Sequence, residues 1–231
     1  MPVVLNTSNC TECAFRSVLF ENLSTEELDY LNSYKVEKKY FKGESIVEEN
    51  DPINEFLYLK QGLVKLYKVD RNDREHIISI ARPLNFVGFL SVFSKDKYQY
   101  SIKAIEESIV CYIDLKPLKE ILVKNGLFAM EVLEKINKIT DDILGNRMNI
   151  CSKQLRGRIA FILLYFSKEV YIKPEFELPL SRKEIADLIE MSTENVIRIL
   201  SEFRKDDIIR IDGSKIEIIN MDALERINKF G

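Results

Sequence analysis

The 231-residue sequence lacks the features that mark several common classes of protein. It has no run of 18 or more apolar residues, which argues against a membrane-spanning helix. Its opening residues, MPVVLNTSNC, contain no charged side chain and become polar after a short apolar run, which is not the pattern of a signal peptide. We therefore expect a cytoplasmic protein with no membrane partner. Four cysteines in a cytosolic chain of this size do not indicate a disulfide framework.

An excess of positive charge is also missing, and histidine is nearly absent. Because the net charge is −3, no bulk positive field attracts nucleic acid, and any DNA binding must depend on a local surface. His76 is the only histidine. This argues against a metalloenzyme of the cupin type, whose barrel holds its metal with several histidines and carboxylates. No phosphate-binding loop, dinucleotide-binding glycine motif or nucleophile elbow is present, and we do not expect an enzyme.

The sequence does contain a long region rich in short strands. From about residue 36 to residue 115, runs of β-branched and aromatic residues alternate with turn residues. Many short strands at this spacing predict an antiparallel β-sandwich or barrel. A short helix at residues 24–34 precedes them, with Ser24 as its N-cap and Glu27 three residues later. The predicted strand runs are SIVEEN, EFLYL, LVKLYKVD, HIISI, YSIKAI and SIVCYIDL.

Helical periodicity follows, from about residue 117 to residue 155. Apolar residues recur there at alternating spacings of three and four, with Asn146 at one core position. Such a heptad seam favours a parallel dimer in which the asparagine fixes the register, and the alternative is a core helix within a monomer. The seam consists of Ala129, Val132, Ile136, Ile139, Ile143, Asn146 and Ile150. A second apolar line beside it consists of Met130, Leu133, Leu144 and Met148.

Two amphipathic helices joined by a tight turn occupy the stretch LSRKEIADLIEMSTENVIRILSEF, residues 180–203. Ser181 and Glu184 form a capping box at the start of the first helix, and Ser192 or Thr193 caps the second. The second helix is predicted to bury a stripe made of Val196, Ile199, Leu200 and Phe203. Its outward residues are then Thr193, Glu194, Ile197, Arg198 and Ser201.

Glu194 and Arg198 lie four residues apart, so they are neighbours on one face of the second helix. A plain surface ion pair at this spacing is common and worth roughly 0.3–0.5 kcal/mol. At the end of a helix that enters the major groove, however, the carboxylate can accept from cytosine while the guanidinium bridges O6 and N7 of guanine, and the acid orients the arginine. The following stretch, IIRIDGSKIEII, predicts a hairpin with Asp212-Gly213 at its turn. A hairpin directly after a helix-turn-helix is typical of the wing of a winged helix.

The whole chain resembles regulators of the Crp/Fnr superfamily. The resemblance implies an α+β chain with a cyclic-nucleotide-binding-like β-roll sensor domain at residues 1–126, a long dimerisation helix and hinge at 127–152, and a winged helix-turn-helix at 153–231. It implies a homodimeric transcription regulator that binds double-stranded DNA. RNA polymerase is a further expected partner if the protein is an activator.

The segment STENVIR resembles the recognition helix of this family, in which a glutamate and an arginine four residues later read a TGA-type half-site. The resemblance gives these roles to Glu194 and Arg198. Thr193 and Ile197 complete the set of base contacts, although both depart from the best-known members, and Ile197 suits a thymine methyl group. Backbone contacts are expected from Arg182, Lys183, Ser192, Ser201 and Lys215, with Lys153 and Arg156 as weaker candidates.

The stretch FVGFLSVFSKDKYQYSIKA matches the phosphate cassette that cyclic-nucleotide-binding members of the family share. Gly88 is present, but Phe89 replaces the glutamate that binds the ribose. Tyr98 and Gln99 stand where an arginine followed by serine or threonine is expected. A buried phosphate without its arginine would be poorly compensated, so we expect an effector pocket in this region that does not bind cyclic AMP.

The stretches FVGFLSVF and AIEESIVCYIDL are more similar to the Fnr branch, whose members hold a [4Fe–4S] cluster with four thiolates. By that resemblance the candidate metal ligands are Cys10, Cys13 and Cys111, while Leu19 stands at the spacing of a further N-terminal cysteine. Packing is the alternative for Cys111, as it is for Cys151 in the long helix.

The cofactor therefore stays open at the level of sequence. We expect none, and an Fe–S cluster or haem are the alternatives. His76 lies among isoleucines and is expected to be an ordinary strand residue. The sensor is expected to respond to an effector. It could instead act as a redox or gas sensor, or as a degenerate sensor regulated only by protein partners.

Overall fold

The computed structural model describes residues 2–5, 13 and 20–231. In this part of the chain, no helix is both long enough and apolar enough to cross a membrane. Contacts divide the chain into two compact units. These are Met1–Arg74 with Ile78–Asp142, and Glu75–Ile77 with Ile143–Gly231.

Two β-sheets dominate the N-terminal half of the described chain. The first has the strand order β1 (Val3–Leu5), β2 (Lys35–Tyr40), β9 (Ser108–Asp114), β4 (Glu55–Gln61) and β7 (Phe86–Val87). The second has the order β3 (Ser45–Val47), β8 (Ser101–Ala104), β5 (Val64–Val69) and β6 (Glu75–Ala81). Neighbours such as β2 and β9 run antiparallel. The predicted roll of many short strands is confirmed, and each predicted run contributes to a strand.

The core between these sheets is apolar but also contains several tyrosines. Leu59, Val64, Ile102 and Val110 are fully buried in it because alternate residues of each strand point inward. The same cluster includes Tyr40, Tyr98, Tyr100 and Tyr112, all of them buried. Such rings contribute large apolar surfaces, but each hydroxyl needs a polar partner inside the core.

Helix α1 (Thr25–Ser33) begins as the sequence predicts. The Ser24 hydroxyl accepts from the backbone N–H of Glu27 at 3.2 Å, and the Glu27 carboxylate accepts from the backbone N–H of Ser24 at 2.9 Å. This reciprocal capping box satisfies two donors that a helix start otherwise leaves without partners. A short helix, α2 (Phe89–Val92), follows Gly88 later in the chain.

The predicted helical stretch from about residue 117 to residue 155 is not continuous. It is divided into α3 (Leu115–Lys124) and α4 (Gly126–Cys151) at Asn125. The backbone N–H of Asn125 donates to Ile121 at 2.8 Å, and its side-chain oxygen accepts from the N–H of Phe128 at 3.1 Å. One asparagine therefore ends one helix and caps the next.

The two apolar lines of α4 differ in exposure. In the predicted seam, Val132 and Ile150 are buried, and the other members are half-buried. The second line is the more exposed, and it includes Met130 at 56%, Leu133 at 52%, Leu144 at 57% and Met148 at 73%. Cys151, expected to be a packing residue of the long helix, is exposed instead, and it is the last residue of α4.

The C-terminal unit contains four α-helices in the described chain after α4. They are α5 (Leu155–Tyr165), which continues into a π-helical turn (Phe166–Val170), α6 (Arg182–Leu188), α7 (Thr193–Lys205) and α8 (Met221–Phe230). A three-stranded sheet has the order β10 (Glu175–Glu177), β12 (Lys215–Ile218) and β11 (Ile209–Asp212). The hairpin, α6 and α7 are as predicted, whereas β10 and α8 were not predicted.

The turn of the hairpin lies one residue later than the sequence suggested. Asp212 pairs with Lys215, so the two-residue turn is Gly213-Ser214 rather than Asp212-Gly213. Gly213 has a φ of 58°, which suits a residue without a side chain in a tight hairpin turn.

Candidate nucleic-acid interface

Helix α6 begins with the predicted capping box. The Ser181 hydroxyl accepts from the backbone N–H of Glu184 at 3.2 Å, and the Glu184 carboxylate accepts from the backbone N–H of Ser181 at 2.8 Å. Leu180 and Ile185 flank the box and are both buried, as expected for a hydrophobic staple. The start of α6 is therefore fixed by polar and apolar contacts together.

A tight turn joins α6 to α7. Glu190 takes a φ of 54°, and the Ser192 hydroxyl accepts from the backbone N–H of Asn195 at 3.3 Å, so Ser192 is the cap of α7. Two arginines from other helices hold the turn. Arg158 donates to the carbonyls of Ile189 and Glu190 at 3.0 Å, and Arg147 donates to the Leu188 carbonyl at 3.3 Å. These bonds satisfy carbonyls that the end of α6 leaves without helical partners.

Helix α7 separates an apolar face from a polar one, as predicted. Its buried stripe consists of Val196, Ile199, Leu200 and Phe203, none more than 3% exposed. On the other face, Glu194, Ile197 and Arg198 are exposed and Thr193 is half-buried. The N-terminal half of α7 therefore presents a hydroxyl, a carboxylate, an apolar group and a guanidinium to solvent.

The carboxylate of Glu194 lies at the N-terminus of α7. Hydrogen bonds from its own backbone N–H and from Ser192 hold the pKa of Glu194 below its usual value. The side chain is therefore charged at neutral pH, and it can accept hydrogen bonds but cannot donate them.

Arg198 has different partners from those expected. Its guanidinium donates through Nη1 to Oε1 of Glu202 at 2.5 Å and through Nη2 to Oδ1 of Asn195 at 3.2 Å. The expectation that Glu194 orients Arg198 is therefore wrong in this structure. Glu194 instead turns toward the unsatisfied N–H groups at the helix start, which attract a carboxylate.

Glu202 joins Arg198 to α5. Its second oxygen accepts from Arg156 at 2.7 Å, and Arg156 also donates to Asp206 at 3.0 Å. The Arg156 guanidinium lies 4.9 Å from the centre of the Phe203 ring. Desolvation raises the pKa of Glu202, but the hydrogen bonds from Arg156 and Arg198 outweigh it and lower the pKa below its usual value. This network was not predicted from the sequence, although the four-residue spacing of Glu202 on α7 and Asp206 at its C-cap was a usable signal.

The residues predicted to contact the DNA backbone lie in several environments. Arg182 is half-buried and donates to the carbonyl of Gly213 at 3.1 Å, so the start of α6 contacts the wing turn. Lys215 pairs with Glu175 at 2.5 Å, which raises the pKa of Lys215. Lys153 donates to the carbonyl of Asn228 at 2.6 Å. Arg156 is bonded to Glu202 and Asp206 as described above, and the remaining predicted positions are Lys183 and Ser192, which are exposed, and Ser201, which is half-buried.

The chain's own aromatic side chains fill the cassette region of the β-roll. Phe89 and Tyr98 are buried, whereas Gln99 is exposed. A Cβ atom added to Gly88, which has a φ of 78°, would lie 2.8 Å from the Tyr98 ring. The Tyr100 hydroxyl donates to the Gly88 carbonyl at 3.1 Å. Aromatic rings therefore occupy two of the positions, 89 and 98, at which the family resemblance expects polar partners for a ribose and a phosphate.

The candidate metal ligands are not gathered in the described chain. Cys111 is buried on β9 and Cys13 is half-buried, while Cys10 lies outside the described residues. Among the described residues, no group of three or more histidine, cysteine, aspartate or glutamate side chains is placed to hold a metal ion. His76 is exposed on β6, as an ordinary strand residue can be.

Models of two protein families match the chain in the two regions described above. The cyclic nucleotide-binding domain matches residues 37–125, and the Crp-like helix-turn-helix domain matches residues 157–227. Their order along the chain is a β-roll followed by a helix-turn-helix, which is the order found in the structure.

Known regulators are similar over most of the chain. The anaerobic regulatory protein of Pasteurella multocida (strain Pm70) is 25% identical over 223 residues, which cover 94% of this chain and 81% of that protein. The transcriptional activator protein FnrA of Stutzerimonas stutzeri is 22% identical and covers 92% of this chain and 89% of that protein. The structure of FixK2 from Bradyrhizobium japonicum has a TM-score of 0.75 at 22% identity, over 84% of this chain and 97% of that chain. The chain belongs to the Crp/Fnr family of DNA-binding transcription regulators, and these relatives place it nearer the Fnr-like branch.

Proposed function

We propose that this protein is a homodimeric transcription regulator that reads a palindrome of TGA-type half-sites through the N-terminal half of α7. The observation that carries the proposal is the exposed face of that helix. Within little more than one turn it presents the Glu194 carboxylate, the Ile197 side chain at 54% exposure and the Arg198 guanidinium. The opposite stripe is fully packed, so this face is free to enter a groove.

The four side chains have complementary chemistry for base edges. Glu194 accepts from the exocyclic amine of cytosine, and Arg198 donates to O6 and N7 of guanine. Ile197 contacts a thymine methyl group, and the Thr193 hydroxyl adds a short polar contact. In a dimer, two such helices enter successive major grooves, roughly 34 Å apart.

Backbone contacts place the helix in the groove without reading the sequence. Exposed Lys183 and Ser192 lie at or near the starts of α6 and α7, where they can contact phosphates. Arg182 joins α6 to the wing turn, and Lys215 lies on the wing itself. Ser201 lies two turns after the start of α7 and completes the set.

Dimerisation takes place through α4, which carries the heptad seam with Asn146. The exposed apolar line beside the seam supports this role, because apolar side chains at 52–73% exposure are stabilised when a partner helix covers them. The protein acts in the cytoplasm. RNA polymerase is a partner if the bound site lies where the protein activates a promoter.

The β-roll responds to an effector other than cyclic AMP. Support comes from Phe89, Tyr98 and Tyr100, which occupy the cassette with aromatic rings. Sensing of redox state or a gas is a second candidate, favoured by the similarity to a protein named as an anaerobic regulator. Cys10, Cys13 and Cys111 are then the ligands to test for a cluster. Regulation by protein partners alone is the remaining alternative.

The DNA-binding role is tested with Arg198→Ala. Its affinity for a duplex with inverted TTGA repeats is expected to fall at least about tenfold, because a bidentate contact to guanine is lost in each half-site. Weak, salt-sensitive binding to any sequence should remain. Fluorescence anisotropy at fixed salt measures both.

The control is Arg226→Ala, which removes the same charge from an exposed position on α8. It should lose little affinity for the palindrome. Equal losses in the two variants would mean that Arg198 acts only through its charge and that the assigned recognition face is wrong.

A further inference from the structure

Glu202 occupies an unusual position between two arginines. One of its oxygens accepts from Arg198 at 2.5 Å, and the other accepts from Arg156 at 2.7 Å. Glu202 is only partly exposed, and it lies one turn beyond the face assigned to base contacts. It is too far along α7 to belong to that face, yet it is bonded to the arginine that the proposed function places on guanine.

We propose that Glu202 is a positioning residue that holds the Arg198 guanidinium in the orientation that reads a guanine. This inference rests on the proposed role of Arg198 in base readout. It assigns to Glu202 no contact with DNA, and its effect is on sequence discrimination through Arg198.

The hydrogen bonds of Arg198 leave enough donors for a base. A guanidinium has five N–H donors, and Glu202 and Asn195 each take one, from different terminal nitrogens. A bidentate contact to O6 and N7 needs two more. The contacts within the protein and the contact with guanine can therefore exist at the same time.

Glu202 is itself anchored to the core of the unit. Arg156 also donates to Asp206 at 3.0 Å and packs over the fully buried ring of Phe203. An unrestrained arginine side chain loses rotamer freedom when it is fixed against a base, and that loss weakens binding. The Glu202 carboxylate, whose second oxygen is held by Arg156, restricts the Arg198 side chain before DNA binds and so reduces the rotamer freedom lost on binding.

The charges of the network are balanced. Two guanidinium groups, from Arg156 and Arg198, meet two carboxylates, from Glu202 and Asp206. The lowered pKa of Glu202 keeps its carboxylate ionised at neutral pH. The Arg198 guanidinium is therefore held in one orientation by its hydrogen bonds before the protein binds DNA.

The test is Glu202→Gln, because Arg198 and Arg156 bond different oxygens of Glu202 and glutamine replaces one of those oxygens by an NH2 group, which donates and cannot accept. Anisotropy is measured on the inverted TTGA duplex and on the same duplex with the G·C pair of each half-site changed to A·T. The wild-type protein should prefer the first duplex. In Glu202→Gln this preference should fall about tenfold, since the guanine contact is only partly formed. Glu225→Gln makes the same charge change on α8, away from Arg198, and should keep the preference.

A double variant separates positioning from a structural effect. In Arg198→Ala, adding Glu202→Gln should cause no further loss of preference, because the two residues act through one contact. If Glu202→Gln does not fold, Glu202→Asp is the second variant, since it keeps the charge but withdraws the oxygens by one methylene. The expected result is again a reduced preference.

The outcomes distinguish the two proposals. If the wild-type protein shows no preference between the duplexes, the assignment of α7 as the reader of this base fails. If the wild-type protein and Glu225→Gln show the preference and a folded Glu202 variant keeps it in full, the positioning role of Glu202 is overturned while the recognition role of Arg198 stands.

Discussion

At the residue scale, Arg198 illustrates what sequence spacing can and cannot decide. Glu194 and Glu202 both lie four residues from it, so the spacing alone allows an ion pair with either, and the helical orientation rule favours Glu194. The structure selects Glu202 because Arg156, 42 positions earlier than Arg198 in the sequence, holds its other oxygen. A long-range partner of this kind leaves no local pattern, whereas the caps at Ser24 and Ser181 depend on neighbours three residues away and were predicted.

The tyrosines of the β-roll give a prediction at the same scale. Burial raises the pKa of Tyr100 to about 12 and raises the pKa of Tyr98 and Tyr112 as well. Because these folded-state pKa values lie above the unfolded value of about 10, the neutral hydroxyls stabilise the fold fully below about pH 10. That stability is lost as the pH rises through the folded-state values. Tyrosinate absorbance followed together with far-ultraviolet circular dichroism should show part of the ionisation delayed until the β-roll unfolds.

The control for this titration is the chain in denaturant, where its ten tyrosines should ionise together near about pH 10. Complete ionisation of the native protein at that pH, with the circular dichroism unchanged, would contradict the buried and hydrogen-bonded placement of these rings.

At the scale of secondary-structure elements, long amphipathic patterns were predicted well, whereas one short strand and one interruption of a helix were missed. Helix α7 has an apolar stripe over about two turns, and both its start and its faces agree with prediction. Strand β10 has three residues with only Phe176 buried, too few for a period to be recognised. The break at Asn125 was missed because apolar residues continue on both sides of it, and the break depends on hydrogen bonds of one side chain.

The packing of α5 against α8 gives a second prediction. A Cβ atom added to Gly157 would collide with backbone atoms of Gly231, at 2.7 Å from its carbon and closer still to its oxygen, so the backbone at the end of α8 would have to shift. Gly157→Ala is expected to destabilise the C-terminal unit by about 1–3 kcal/mol, as overpacking does. Urea unfolding measures the change.

Gly145→Ala is the matched comparison. This glycine also lies inside a helix, but nothing lies within 4 Å of an added Cβ atom. Alanine should stabilise α4 there by about 0.5–1 kcal/mol because it reduces backbone freedom in the unfolded chain. If both substitutions changed stability in the same direction, the close contact between α5 and the end of α8 would be refuted.

At the scale of the whole molecule, the order of a β-roll, a long helix and a winged helix-turn-helix could be predicted, because each has its own periodicity and the order resembles a known family. What the sensor responds to could not. Phe89 and Tyr98, in place of the expected polar residues of the cassette, argue against cyclic AMP as the effector but do not indicate which other ligand binds. An effector site is formed by side chains from strands that are distant in sequence, so the spacing of residues along the chain does not predict it.

If a dimer reads a palindrome with two copies of α7, its affinity depends on the spacing of the two half-sites. The measurement is the affinity of the wild-type protein for the inverted TTGA duplex before and after insertion of about five base pairs between the half-sites, which turns one half-site to the opposite side of the DNA. We expect the affinity to fall toward the non-specific level, a loss of about 10³-fold or more. Unchanged affinity after the insertion would show that the two half-sites are not bound together by one dimer.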